Sequence, residues 1–176
     1  MLGEPDGFER LWTPHRMAYI DGPARPVAGA DDAKDCPFCV VPTLTDVEGL
    51  VVARGTLAYV VLNRFPYNTG HVLVCPYRHV ADFADLEHAE LVEIAELTQS
   101  AVRVLRHSYG AEGVNLGMNL GAVAGAGITG HVHQHAVPRW QGDSNFLPIV
   151  ARTKALPELL EQTRERLAAA WPTADG

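Results

Sequence analysis

The 176-residue sequence is short of positive charge: 14 lysines and arginines stand against 21 aspartates and glutamates, a formal net charge of −7. An acidic surface repels nucleic-acid backbones and anionic membranes, so neither nucleic acid nor a membrane is an expected partner. No apolar run approaches the length of a bilayer span. The first residues, Met1 to Gly7, have neither the basic nor the apolar region of a secretory leader, which makes a cytoplasmic location the expectation. Three cysteines, unevenly placed, cannot build a disulfide framework. Internal repeats and low-complexity tracts are also missing, and the length suits one ordinary domain with a sizeable core.

What is present is punctuated clearly. Residues 21–35 are rich in Gly, Pro, Ala and Asp and read as a loop between an amino-terminal arm and the body. The arm, residues 8–20, includes Phe8, Leu11, Trp12, Met17 and Tyr19, too many large apolar groups for a solvated tail. It is expected to pack on the domain or on a second subunit. This gives an arm and loop over residues 1–35 and a single domain over 36–176.

Short groups of β-branched and apolar residues at 50–53, 57–62 and 71–75, separated by turn residues, predict three strands. Between residues 85 and 107 the period changes. Leu91, Ile94, Leu97, Ala101, Val104 and Leu105 recur at helical spacing, which predicts a long amphipathic helix ended by Tyr109 and Gly110. Strand-like sequence returns at 114–120 and 132–137, and a last helix runs from about residue 156 to Trp171, before Pro172. Hairpin-length connections around one long helix argue against a doubly wound parallel sheet. The fold class is therefore α+β, a mainly antiparallel sheet with a long central helix and a C-terminal helix.

The chain has eight histidines, and three of them, His131, His133 and His135, alternate with Val132 and Gln134. On a strand this spacing projects all three imidazoles to one side. Such a row suits either a metal site or a nucleophilic site, in which one neutral ring attacks phosphorus while its neighbours hold phosphate oxygens. Three rings at period two span too far to sit comfortably on one ion, so a division of labour is expected. The glycine-rich residues 121–130 just before the row favour phosphate, because small residues let backbone N–H groups approach its oxygens. Gly125, Gly127 and Thr129 lie in this loop, and Asn119 adds an amide donor beside it. Neither a Walker sequence nor a dinucleotide fingerprint is present.

These residues resemble the histidine triad family of nucleotidyl transferases and hydrolases, whose signature is His-x-His-x-His followed by two apolar residues, here Ala136 and Val137. The likeness extends to Leu62, Asn63, Pro66, Gly70, His71, Pro76 and His79, to Gly113 and Asn115, to Asn119 and Gly121, and to Cys36 and Cys39. It is similar in more detail to a bacterial branch that includes diadenosine tetraphosphate phosphorylases. The features shared with that branch are Leu11 to Tyr19, the loop Ala124 to Ile128 and the tail Pro138 to Phe146. Many family members carry a Gln shortly before the triad that contacts the α-phosphate. Here residues 126–129 take its place, with Thr129 and backbone N–H groups as candidate substitutes.

The resemblance implies a triad-type α+β fold, His133 as the nucleophile that forms a nucleotidyl-histidine, His135 as a phosphate-binding partner and Asn63 at the ribose hydroxyls. The acceptor decides the reaction: phosphate would release ADP and ATP from diadenosine tetraphosphate, and water would make a hydrolase of dinucleoside polyphosphates or nucleoside phosphoramidates. A sugar phosphate would give a uridylyltransferase-like exchange. The tail favours the phosphorylase. A zinc-containing nucleotide-binding protein without turnover is the alternative of a different class. Relatives are dimers, so a homodimer or higher homo-oligomer is expected.

Cys36-Pro-Phe-Cys39 by itself reads as a metal or a redox pair. Zinc-containing relatives complete such a pair with a histidine after a Pro-x-x pattern and with the first triad histidine, here His79 and His131. That implies a structural Cys₂His₂ zinc. Elsewhere, His71 is expected to be a buried structural residue, His15, His88 and His107 surface residues, and Cys75 a small buried hydrophobe. Trp12 and Trp140 are candidates for stacking on a base or for packing, and Arg16, Arg64 and Arg139 for lending positive potential to a polyphosphate.

Overall fold

The computed structural model describes residues 33–143 and 157–172. The arm at 8–20, with Trp12, His15 and Arg16, lies outside the described residues, as do residues 144–146 of the tail.

A short helix α1 (Pro37–Val40) opens the described chain and runs into a 3₁₀ turn at Val41–Thr43. Strands β1 (Val51–Arg54), β2 (Ala58–Leu62) and β3 (Val72–Pro76) follow, then helix α2 (His88–Tyr109), β4 (Gly113–Gly117), β5 (Gln134–Arg139) and helix α3 (Leu160–Ala169). The five strands form one sheet in the order β1-β2-β3-β5-β4, and every pairing is antiparallel. The α+β reading holds. The two strands β2 and β3 are buried along their whole length, as expected of apolar runs covered on both faces.

Helix α2 turns Ile94, Thr98, Ala101, Val104 and Leu105 into the core and packs against β2, β3 and β5. It ends at Gly110, whose φ of 59° is the left-handed cap that glycine adopts at little cost. At its other end the buried Glu90 takes two bonds from Arg78, 3.0 Å from Nε and 2.6 Å from an Nη, and one from the N–H of Glu87. Glu93 accepts the N–H groups of Thr56, Leu57 and Ala58, so the helix also holds the β1–β2 turn. Helix α3 lies against β1 and α2. It begins at Leu160, later than the sequence predicts.

The sheet pleat decides where the site lies. A Cβ on Gly70 would stand 3.1 Å from Leu105 of α2 and 3.4 Å from Pro138, so Pro138 faces the helix side. His135, three residues earlier on β5, therefore points to the opposite face, beside Leu73, its cross-strand partner. Among the described residues no helix is long and apolar enough to cross a membrane.

Candidate active site and metal centre

The end of β3 meets the segment that leads into β5. The register would set Val132 opposite Pro76, but Pro76 has no N–H to offer and its carbonyl is taken by the ring of His131 at 2.9 Å. Pairing stops there, and β5 begins at Gln134 rather than at Val132 as the alternation predicts. His131 and His133 thus sit in the segment before the strand, fixed instead by Val132 N–H donating to Val80 at 2.7 Å. The three rings have different surroundings.

His131 enters a cluster with Cys36, Cys39 and His79, whose ligand atoms all lie within 4.8 Å of one another. Its Nδ1 is 3.4 Å from the Cys36 sulfur and 3.5 Å from that of Cys39, while His79 Nδ1 is 3.3 Å from Cys39. Tetrahedral zinc, with bonds of about 2.3 Å to sulfur and about 2.0 Å to nitrogen, sets such atoms about 3.5 Å apart. The second ring nitrogen of His131 faces the Pro76 carbonyl, which can only accept. Nε2 is therefore protonated and Nδ1 offers its lone pair to the cluster, the outer bond that orients a metal-bound imidazole. In the protein alone, burial and the adjacent Cys36 push the Cys39 thiol up to about 11. A buried sulfur and a half-buried one side by side are at ease as thiolates only around a cation. The donor set fits zinc.

Phe38, between the two cysteines, joins this centre to the next ring. It is buried, meets His131 edge-on at 5.5 Å and lies tilted over His133 at 4.7 Å between centroids. His133 sends Nδ1 to the main-chain carbonyl of His131, 2.9 Å away. A carbonyl can only accept, so Nδ1 carries the proton and Nε2 is left with a lone pair. Burial lowers the pKa of this imidazole, with the bond to His131 opposing the shift, and keeps the ring in its neutral, nucleophilic form.

The tautomer of His135 follows from a longer chain of bonds. The N–H of Tyr67 donates to Nδ1 of His71 at 3.0 Å, so the proton of neutral His71 lies on Nε2. That nitrogen is 2.9 Å from Nδ1 of His135, which must accept, leaving His135 protonated at Nε2. Nε2 of His135 is buried and has no hydrogen-bond partner among the described residues. An unsatisfied buried donor is a group awaiting an acceptor. With the rings of His133 and His135 4.9 Å apart, a bare nitrogen and an N–H donor stand side by side.

His71 is buried and hydrogen-bonded, as the sequence suggests, and its bond to His135 also sets the tautomer of that ring. Spacing gave no sign of this, since its partner lies 64 residues away. Asn63 adjoins the same ring, its Nδ2 3.4 Å from His71 Nδ1. Asn119 lies beside the glycine-rich loop, with its amide nitrogen 3.9 Å from where a Cβ on Gly125 would stand. In that loop Gly121 and Gly125 have φ of 80° and 94°, and the N–H groups of Ala124, Gly125 and Ala126 are already engaged within the turn.

Two candidates stand away from the row. Trp140 lies beyond the far end of β5 and donates its indole N–H to the Tyr109 carbonyl at 3.1 Å, which ties β5 to the end of α2. Arg139 forms a forked pair with Asp143, at 2.5 and 2.9 Å, and reaches Asn115 at 3.0 Å. Its charge is committed to this clamp rather than lent to a polyphosphate. Arg64 reaches the Glu48 carbonyl at 3.4 Å. His88 and His107 are exposed and Cys75 is fully buried, as expected.

Comparison with known proteins places the geometry in a family. The HIT domain family matches residues 45–142, more than half of the chain. An AP-4-A phosphorylase of Mycobacterium tuberculosis is 45% identical over 171 residues, covering 97% of this chain and 88% of the relative. Among solved structures, a zinc-bound histidine triad family protein from Mycobacterium smegmatis aligns with a TM-score of 0.63 at 26% identity, over 79% of this chain and 94% of the other. A histidine triad nucleotide-binding protein from Sulfolobus tokodaii gives the same TM-score and identity, over 77% and 91% of the two chains. The chain belongs to the HIT domain family.

Proposed function

We propose that the protein is an enzyme that cleaves diadenosine tetraphosphate through a nucleotidyl-histidine and passes the nucleotide to inorganic phosphate, giving ADP and ATP. The observation that carries this reading is the opposed polarity of two adjacent rings: a lone pair on His133 Nε2 beside an N–H on His135 that has no partner among the described residues. In the first step His133 Nε2 bonds to the α-phosphorus and the P–O bond to the leaving group breaks, releasing ATP. The ring keeps its Nδ1 proton, and the positive charge it acquires is met by the His131 carbonyl. The His135 N–H holds a phosphoryl oxygen as charge builds there. A phosphate oxygen then attacks the same phosphorus, the N–P bond breaks, and ADP leaves.

Asn63 is assigned to the ribose hydroxyls, and Asn119 with Gly125, Gly127 and Thr129 to the phosphates. Because the Gly125 N–H is engaged with Ala122, the backbone donors of this loop come from its later residues. Trp140 is left as a packing residue. Zinc held by Cys36, Cys39, His79 and His131 would supply a structural crosslink that fixes the segment before His133. The acceptor assignment rests on the 45% identity to the mycobacterial AP-4-A phosphorylase. We further assign a cytoplasmic location, a body over residues 36–176 preceded by an arm, and a homodimer, for which the edge of β4 with exposed Leu116 is unpaired among the described residues.

A non-catalytic nucleotide binder has no use for a nucleophile held in one tautomer. The test is incubation with diadenosine tetraphosphate, with and without phosphate, followed by chromatography. ADP plus ATP formed only with phosphate supports the proposal, AMP plus ATP makes the protein a hydrolase, and no turnover in the wild type refutes the enzyme.

A further inference from the structure

The loop between β2 and β3 carries an aromatic residue that neither the sequence pattern nor the family likeness singles out. Tyr67 stacks on His135, with centroids 5.9 Å apart and planes 12° from parallel, and lies tilted on His71 at 4.7 Å. Both distances fall in the range where aromatic rings attract one another. Its main-chain N–H is the donor that fixes the His71 tautomer. The loop itself is pinned. Asn63 accepts the N–H of Phe65 at 2.9 Å, and the His71 N–H donates to Asn68. Asn68 in turn donates to the Pro138 carbonyl and to Asp143, at 3.1 and 2.9 Å. Gly70 closes the loop at a φ of 83°, where a side chain would also crowd Leu105. Tyr67 is thus half exposed, with its ring held against the two histidines.

We propose that Tyr67 is a positioning residue for phosphoryl binding: its backbone N–H sets the direction of the His71–His135 bond, and its ring roofs that bond against water. Two neutral imidazoles joined by one hydrogen bond have two arrangements, and only one of them presents the His135 Nε2–H to substrate. Tyr67 selects it twice, by occupying His71 Nδ1 with a donor and by keeping water from solvating the other arrangement. The ring is the part that substitution can remove. The kinetic consequence rests on the nucleotidyl-transfer reading, whereas the tautomer does not.

The experiment combines steady-state kinetics with ¹⁵N–¹H correlation spectra of the ring nitrogens in the zinc-loaded, ¹⁵N-labelled full chain. In the wild type, His71 and His135 should each show a protonated Nε2 and a bare Nδ1. In Tyr67→Ala the main-chain donor remains while water reaches the His71–His135 bond, so the His135 signals should move part of the way towards the average of both tautomers. The kcat should fall on the order of 10- to 100-fold with KM little changed, the effect of a misdirected group rather than of lost binding. Tyr67→Phe, which keeps the ring, should restore both. Should Tyr67→Ala not fold, Tyr67→Leu keeps volume without a planar face and carries the same expectations. Wild-type tautomers and kcat in the ring-less variant would overturn the proposal, as would a rise in KM alone or a Tyr67→Phe variant as damaged as Tyr67→Ala. If the wild type turns over no dinucleotide, the proposed activity fails while the spectra still decide the role of Tyr67.

Discussion

Nδ1 of His133 lies 2.9 Å from the main-chain oxygen of His131, so the proposed nucleophile is oriented by the backbone of a residue whose side chain belongs to the candidate metal cluster. Phe38, placed between Cys36 and Cys39, reinforces the link by packing on both rings. Structural and chemical parts of the site share two residues rather than lying side by side.

The metal centre is therefore expected to matter for both stability and turnover. Native mass spectrometry should find about one zinc per chain. Cys36→Ser should lose the metal and cost about 3 kcal/mol or more, lowering the melting midpoint by about 6–12 °C for a chain of this length. A metal-free Cys36→Ser protein as stable as the wild type would remove the structural role.

His71→Ala takes the donor away from Nδ1 of His135 and frees that ring to adopt either tautomer. The kcat for diadenosine tetraphosphate is expected to fall by about 10- to 100-fold, with a smaller change in KM. An unchanged kcat would reduce His71 to a packing residue.

The pH dependence has a definite sign. Burial, helped by the neighbouring His133, pushes the His135 imidazole from 6.5 down to about 4. Protonation would also have to displace the bond from His71. The acid limb of kcat/KM should accordingly lie below 6.5. Stability follows the same direction. The unfolded chain takes up this proton near 6.5 and the folded one only near 4, so the contribution is complete above 6.5 and is lost as pH falls towards 4. Replacing His135 with Asn should flatten that part of the melting curve against pH; an acid limb at or above 6.5 would contradict the assignment.

Much of this was legible in the sequence because the signals were local. Alternation placed three histidines in a row, helical spacing located α2, and Gly110 marked its end. The start of β5 was not legible, since it depends on Pro76 of another strand. Nor were the tautomers, which run from the Tyr67 N–H through His71 to His135, residues 64 apart at the last link. Trp140 and Arg139 follow the triad closely in sequence, yet the strand carries them to its far end, where Tyr109 and Asp143 engage them. Proximity along an extended chain is a poor guide to proximity in space, because each residue adds about 3.3 Å.

The most direct test compares the wild type with His133→Ala on diadenosine tetraphosphate in the presence of phosphate, with acid-stable and acid-labile nucleotide adducts separated after a brief quench. The account predicts ADP and ATP from the wild type, an acid-labile adduct on the protein, and loss of both in His133→Ala by on the order of 10³-fold or more. Equal turnover in the two proteins would contradict it.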